Sequence, residues 1–180
     1  MKLQKNVIWS KRTIGDWDTL VLVNLALSFY NLAVIWLMQL DVFYTWRYIP
    51  TDLFGQAQGE HFWKLFITVF PQAILTTLIS GLLLKRRPVG VPAFPLVLGF
   101  GLQLLVWLLT AMMWGRWQGQ IAVGLSSGTG RSLGPANYAL YQILMDTHWI
   151  RVGIITAYAV LAVWLAKKTF LSQVRTNEDE

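Results

Sequence analysis

The 180-residue chain contains no cysteine. That excludes disulfides, thiolate nucleophiles, cysteine-ligated metals and thioether-bound haem, and it is neutral about compartment. Charge is also scarce. Only 13% of residues are Asp, Glu, Lys or Arg, against roughly a quarter in soluble domains. With 55% hydrophobic residues and a mean hydropathy of +0.47, too little polar surface remains for a water-soluble domain. Histidine is limited to His61 and His148, and no ligand spacing of a zinc or di-iron motif occurs. The net charge of +6 sits in short groups beside apolar runs. A nucleic-acid partner, which needs a basic stripe interleaved with aromatics, is therefore excluded.

What the chain does have is four apolar windows of membrane length, about 20–40, 65–84, 95–114 and 150–166. Each approaches the ~20 residues that a helix needs to cross ~30 Å of hydrocarbon. The expected fold is all-α: an integral membrane, antiparallel four-helix bundle forming one domain, 1–180, with tails at 1–16 and 169–180. Ten basic residues fall on one side of this arrangement, in three groups: Lys2, Lys5, Lys11 and Arg12, then Lys85, Arg86 and Arg87, then Lys167, Lys168 and Arg175. Arg47, Lys64, Arg116, Arg131 and Arg151 fall on the other. The positive-inside rule then places both termini in the cytoplasm and the chain in a bacterial cytoplasmic (inner) membrane. The first apolar run is too long for a cleavable signal peptide and lacks a small-x-small site.

The links differ. "KRRPVGVPAF" predicts a tight turn. Thr51, after Pro50, is a candidate N-cap for a helix running to Leu84, roughly 50 Å long. A fourth helix from about Asn137 to Ala166 follows the flexible "VGLSSGTGRSLGPANY". Helices two and four should therefore project beyond the outer face. "GTGRSLG" has no strand–turn–helix context for a phosphate loop, and Ser126 and Ser127 have no triad context. The chain is rich in tryptophan, with ten. Trp9, Trp17, Trp46, Trp63, Trp149 and Trp164 suit an aromatic belt at the span ends. Pro71 is placed to kink helix two and open a cavity, or to be accommodated by its neighbours. Gly99 and Gly101 suit close helix packing.

Polar residues inside spans usually face the bundle interior, and here they fall on helical stripes. Helix one offers Asn24, Ser28 and Asn31, with Gln39 and Asp41 near its outer end. Helix two offers His61, Lys64, Thr68, Gln72 and Thr76. Helix three offers Gln103, Trp107, Thr110, Trp114 and Trp117. Helix four offers Tyr141, His148, Arg151 and Tyr158, while Asp146 points elsewhere. Counting about 1.5 Å per residue from the cytoplasmic ends puts Arg151 about 22 Å up and His148 about 27 Å up. Asp41 and Arg116 come out at about 30 Å and His61 at about 35 Å.

Three arrangements fit this outer layer. One is interhelical glue, with Asp41 or Glu60 paired to Arg151. Another is a pocket for a small lipophilic or anionic ligand, built from Asp41, His61, Gln72, Arg116, Gln118, Tyr141, His148 and Arg151. Catalytic candidates within it are His61, His148 and Arg151. The third is a metal or haem held by His61 and His148, although the sequence requires no cofactor. Partners beyond the lipid bilayer would be that ligand or other membrane subunits.

The segments "EHFWK" leading to "FPQAIL", "LLTAMMWGRWQGQI", and "THWIR" carry a resemblance. Over roughly Val42–Leu165 the chain resembles small bacterial four-span membrane proteins of unknown function, a group distantly similar to the fungal anthrone oxygenases. "HWIR" is similar to the group's Asn-Trp-aliphatic-Arg pattern, with Trp149 and Arg151 matching and His148 departing. His61 matches a histidine of the group. Two further histidines of the group fall on Ala57 and Gln118. The resemblance implies the four-span fold and a small lipophilic substrate treated by oxygenase-like chemistry, and the two replacements put that chemistry in doubt. An accessory subunit of a larger membrane complex, or a small transporter, are the other functions that the sequence leaves open.

Overall fold

A computed structural model describes residues 16–88, 90–126 and 135–176, all helix and turn with no strand among them. The helices form four rods. The first comprises α1 (Asp16–Leu37), a π turn (Met38–Val42), α2 (Phe43–Thr45) and a 3-10 turn (Trp46–Tyr48). The second comprises α3 (Thr51–Thr68) and α4 (Phe70–Arg86), broken for one residue at Val69. The third comprises α5 (Ala93–Leu109), a second π turn (Thr110–Trp114) and α6 (Gly115–Ser126). The fourth is α7 (Pro135–Thr176), unbroken over 42 residues and roughly 63 Å long.

Each rod contains a segment long and apolar enough to cross a membrane: Asp18–Thr45, Gly59–Arg86, Ala93–Ile121 and Ala139–Leu171. All four outrun the apolar windows of the sequence, because helices continue past the hydrocarbon into polar residues. α7 continues to Thr176, so the stretch after 169 begins as helix. At the other end Pro50, in extended conformation, takes the N-cap position and α3 begins on Thr51 itself. Residues 127–134, which hold "GTGRSLG", Ser127 and Arg131, lie outside the described residues, as do Trp9 and the end of the C-terminal tail.

α7 packs against α1, α5 and α6, while α1 also packs against α4, and α4 against α5. Two apolar clusters stabilise these contacts. One gathers Phe43, Trp46, Trp114, Ile121, Tyr141 and Leu144. The other gathers Val21, Ile79, Leu83, Leu96, Leu165 and Ala166. Between them lies a buried polar layer. Tyr158 donates to Asn24 Oδ1 at 2.6 Å, and Asn31 donates to Thr76 Oγ1 at 2.8 Å. Against lipid, close packing and such interhelical bonds replace hydrophobic burial as the cohesive force.

Two glycines of the third rod differ in role. A Cβ on Gly99 would lie 3.3 Å from Leu161 and 3.4 Å from Tyr158, so Gly99 does serve close packing. Gly101 faces open space and does not. The break at Val69 lies two residues before Pro71, whose missing N–H interrupts the helical ladder. Tyr30 donates to the Thr68 carbonyl beside the break at 2.9 Å, and Val69 itself borders a cavity.

Candidate functional site

The site is built where the two π turns and the Val69 break meet α7. A π turn carries one extra residue, which rotates the following side chains and changes what faces inward. The first π turn places Gln39 against α7, and its Oε1 lies 2.8 Å from His148 Nδ1. The second places Thr110 and Trp114 against Arg151. Thr110 Oγ1 accepts from Arg151 Nη2 at 3.3 Å, and Arg151 Cζ lies 4.1 Å from the Trp114 ring centroid, in cation–π geometry. Trp114 is held in turn, its indole donating to Thr147 Oγ1 at 3.1 Å.

His148 is wholly buried, and Arg151 is 8% exposed. The amide oxygen of Gln39 can only accept, so it fixes the proton of a neutral His148 on Nδ1. Nε2 then presents a lone pair, and no protein group reaches it. Phe43 meets the His148 ring edge-on at 4.6 Å. Arg151 Nε is also buried without a protein partner.

Beside Arg151 lies a partly open cleft, to which all four rods contribute, with room inside for a guest of about 100 Å³. Its wall is mostly apolar, including Ile35, Met38, Phe70 and Trp107. Its polar groups are Arg151, Thr110, Gln103, Gln118 and Asn31. Arg151 is its single charged residue.

Only part of the layer expected from sequence converges here. Arg151 and Gln118 line the cavity. His148 sits one turn from Arg151 but is enclosed by Phe43, Trp114 and Gln39. Tyr141 is buried in the aromatic cluster, where it donates to the Phe43 carbonyl at 2.6 Å. Gln72 is half-buried and away from the cavity wall. Asp41 and Arg116 are exposed. His61 does not meet His148: its ring contacts Trp46 at 5.2 Å, Trp46 contacts Phe43, and Phe43 contacts His148. An aromatic relay thus stands where a shared two-histidine site was expected. Among the described residues no three His, Asp or Glu side chains gather around one point.

The expected carboxylate partners of Arg151 are also elsewhere. Glu60 pairs with Lys64 at 4.0 Å on the surface of α3 and accepts from Gln56. Asp41 is exposed, two residues after buried Gln39 and so on the opposite face. Trp46 departs from the belt too, being 4% exposed, whereas Trp63, Trp149 and Trp164 face outward.

The unexpected members of the site are the π turns themselves and Met38. Gln39, Thr110 and Trp114 carried a signal, since each belongs to an inward polar or tryptophan stripe. In comparisons with known proteins, no family model, curated protein or solved structure matches this chain.

Proposed function

We propose that the chain is an integral membrane protein of the bacterial cytoplasmic membrane, and that the cavity beside Arg151 binds a small lipophilic molecule. In this reading the four rods form an antiparallel bundle with both termini cytoplasmic, as the excess of Lys and Arg on that side supports. The second and fourth rods rise above the outer face, and the cavity lies in the outer leaflet.

The observation that carries the proposal is Arg151. An ionised side chain in an apolar surround costs several kcal/mol, in the range of about 2.5–3.5 kcal/mol on insertion scales. Such groups persist where they pair or where they serve a site. Among the described residues Arg151 has no carboxylate partner. It has a hydroxyl, an indole face and a mostly apolar cleft beside it. The resemblance to the four-span group related to the anthrone oxygenases supports the same architecture. We assign no reaction, since two histidine positions of that group hold Ala57 and Gln118 here.

The test is native mass spectrometry of protein purified in a mild non-ionic detergent, with Ala73→Phe as the comparison. Ala73 lines the cavity, and a benzyl group there would obstruct it. The wild type should release a bound small molecule, and Ala73→Phe should lose it while keeping its helical circular dichroism. Equal occupancy in both proteins, or none in either, would refute the proposal.

A further inference from the structure

Resting on that reading, we propose that the ligand is a monoanionic amphiphile whose carboxylate meets Arg151 and whose apolar chain fills the cavity, as a free fatty acid would. Charge is the first reason. Among the described residues the cavity wall carries one cation and no acid, so a ligand with a single negative charge balances Arg151. A neutral lipophile would leave Arg151 uncompensated. A phosphomonoester, at about −1.5 to −2, would leave an excess of negative charge.

Donor geometry is the second. The guanidinium is a planar fork that matches a planar carboxylate. Nη2 is committed to Thr110 and one face is covered by Trp114. Nε has no protein partner either, but it is fully enclosed and meets a ligand only if the side chain shifts. The Gln103 and Gln118 amides line the same cavity and can add hydrogen bonds to a second oxygen.

Depth is the third. In the proposed orientation, counting from Ala166 at the cytoplasmic end, Arg151 lies about 22 Å into a ~30 Å hydrocarbon layer. A bilayer phospholipid keeps its phosphate at the interface, outside that depth. A single-chain carboxylate can be drawn down to it, where a charge-assisted bond is strong because water is excluded.

The experiment compares three bromine-tipped amphiphiles of one chain length: a fatty acid, the alcohol and the alkyl phosphate. Binding to the full-length protein in non-ionic detergent is read as bromine quenching of tryptophan, since Trp107 lines the cavity and Trp114 stacks on Arg151. The acid should bind about ten- to hundredfold more tightly than the alcohol, the range for a hydrogen bond to a charged group. Arg151→Met should abolish that preference and Arg151→Lys should reduce it. Should Arg151→Met not fold, Thr110→Val, which leaves the guanidinium loosely held, should narrow the preference instead. Equal binding of acid and alcohol overturns the carboxylate assignment and leaves the lipophile pocket standing. Tighter binding of the phosphate also overturns it. Quenching by none of the three overturns the pocket itself.

Discussion

Alanine at Gly115 and alanine at Gly101 are the same change on the same rod, yet they should move stability in different directions. In both cases alanine is the better helix former, by about 0.8–1 kcal/mol. At Gly101 no atom lies within 4 Å of the new Cβ, so that gain stands. At Gly115 the new Cβ would lie 2.8 Å from the Thr110 carbonyl oxygen. That oxygen is backbone, and it accepts the N–H of Gly115 to close the second π turn. It cannot swing aside as a side-chain tip would. Forced overpacking typically costs about 1–3 kcal/mol, enough to cancel the propensity gain or exceed it. The two variants should therefore differ by about 1–3 kcal/mol, with Gly101→Ala the more stable. Unfolding in mixed micelles, followed by tryptophan fluorescence, measures the difference. The Thr110 hydroxyl holds Arg151, so Gly115→Ala should also weaken retention of the cavity ligand, and Gly101→Ala should not. If Gly115→Ala proves as stable and as well occupied as Gly101→Ala, the π turn is not what positions Thr110.

Gln39→Leu strips His148 of its one hydrogen bond and leaves a buried imidazole unsatisfied, at about 1–3 kcal/mol. In the His148→Phe background the same change should be nearly neutral, and a double-mutant cycle that shows simple additivity would contradict the pairing. Tyr141→Phe removes the donor to the Phe43 carbonyl at the exit of the first π turn. It should lower stability by about 0.6–1.7 kcal/mol, the span measured for hydrogen bonds within membrane proteins, with no loss of cavity ligand because Tyr141 lies outside the cavity wall.

The four spans and the inward stripe of helix four were legible in the sequence, because one unbroken α7 keeps a constant 3.6-residue phase, whereas the helix ends lay further out than the apolar windows. Tyr141, His148, Arg151 and Tyr158 are all buried on it. The other stripes fail where the phase changes. An extra residue in a turn rotates everything after it by about 100°. Lys64 and Thr68 are exposed while Thr76 is buried across the Val69 break. Pro71 signalled that break. The π turns leave no comparable mark, since any helix-forming residues can occupy them. Of the residues grouped from the sequence, Arg151 and Gln118 line the cavity, while its other members did not follow from spacing alone. His61 shows the same limit: height alone brought it beside His148, and two aromatic rings that bulk alone would not reveal separate them.

The three interruptions share one further property. Met38, Val69 and Thr110 each lie at an interruption of a different rod, and all three border the same cavity, while the fourth rod runs past it unbroken. Weakened hydrogen-bond ladders bend more readily than intact ones. The mechanical softness of the molecule is thus gathered around a single chamber and set against one stiff spar. If the proposed ligand binds, small hinges in three rods would admit it while their packed ends stay in place, and Arg151, mounted on the spar, would keep its position.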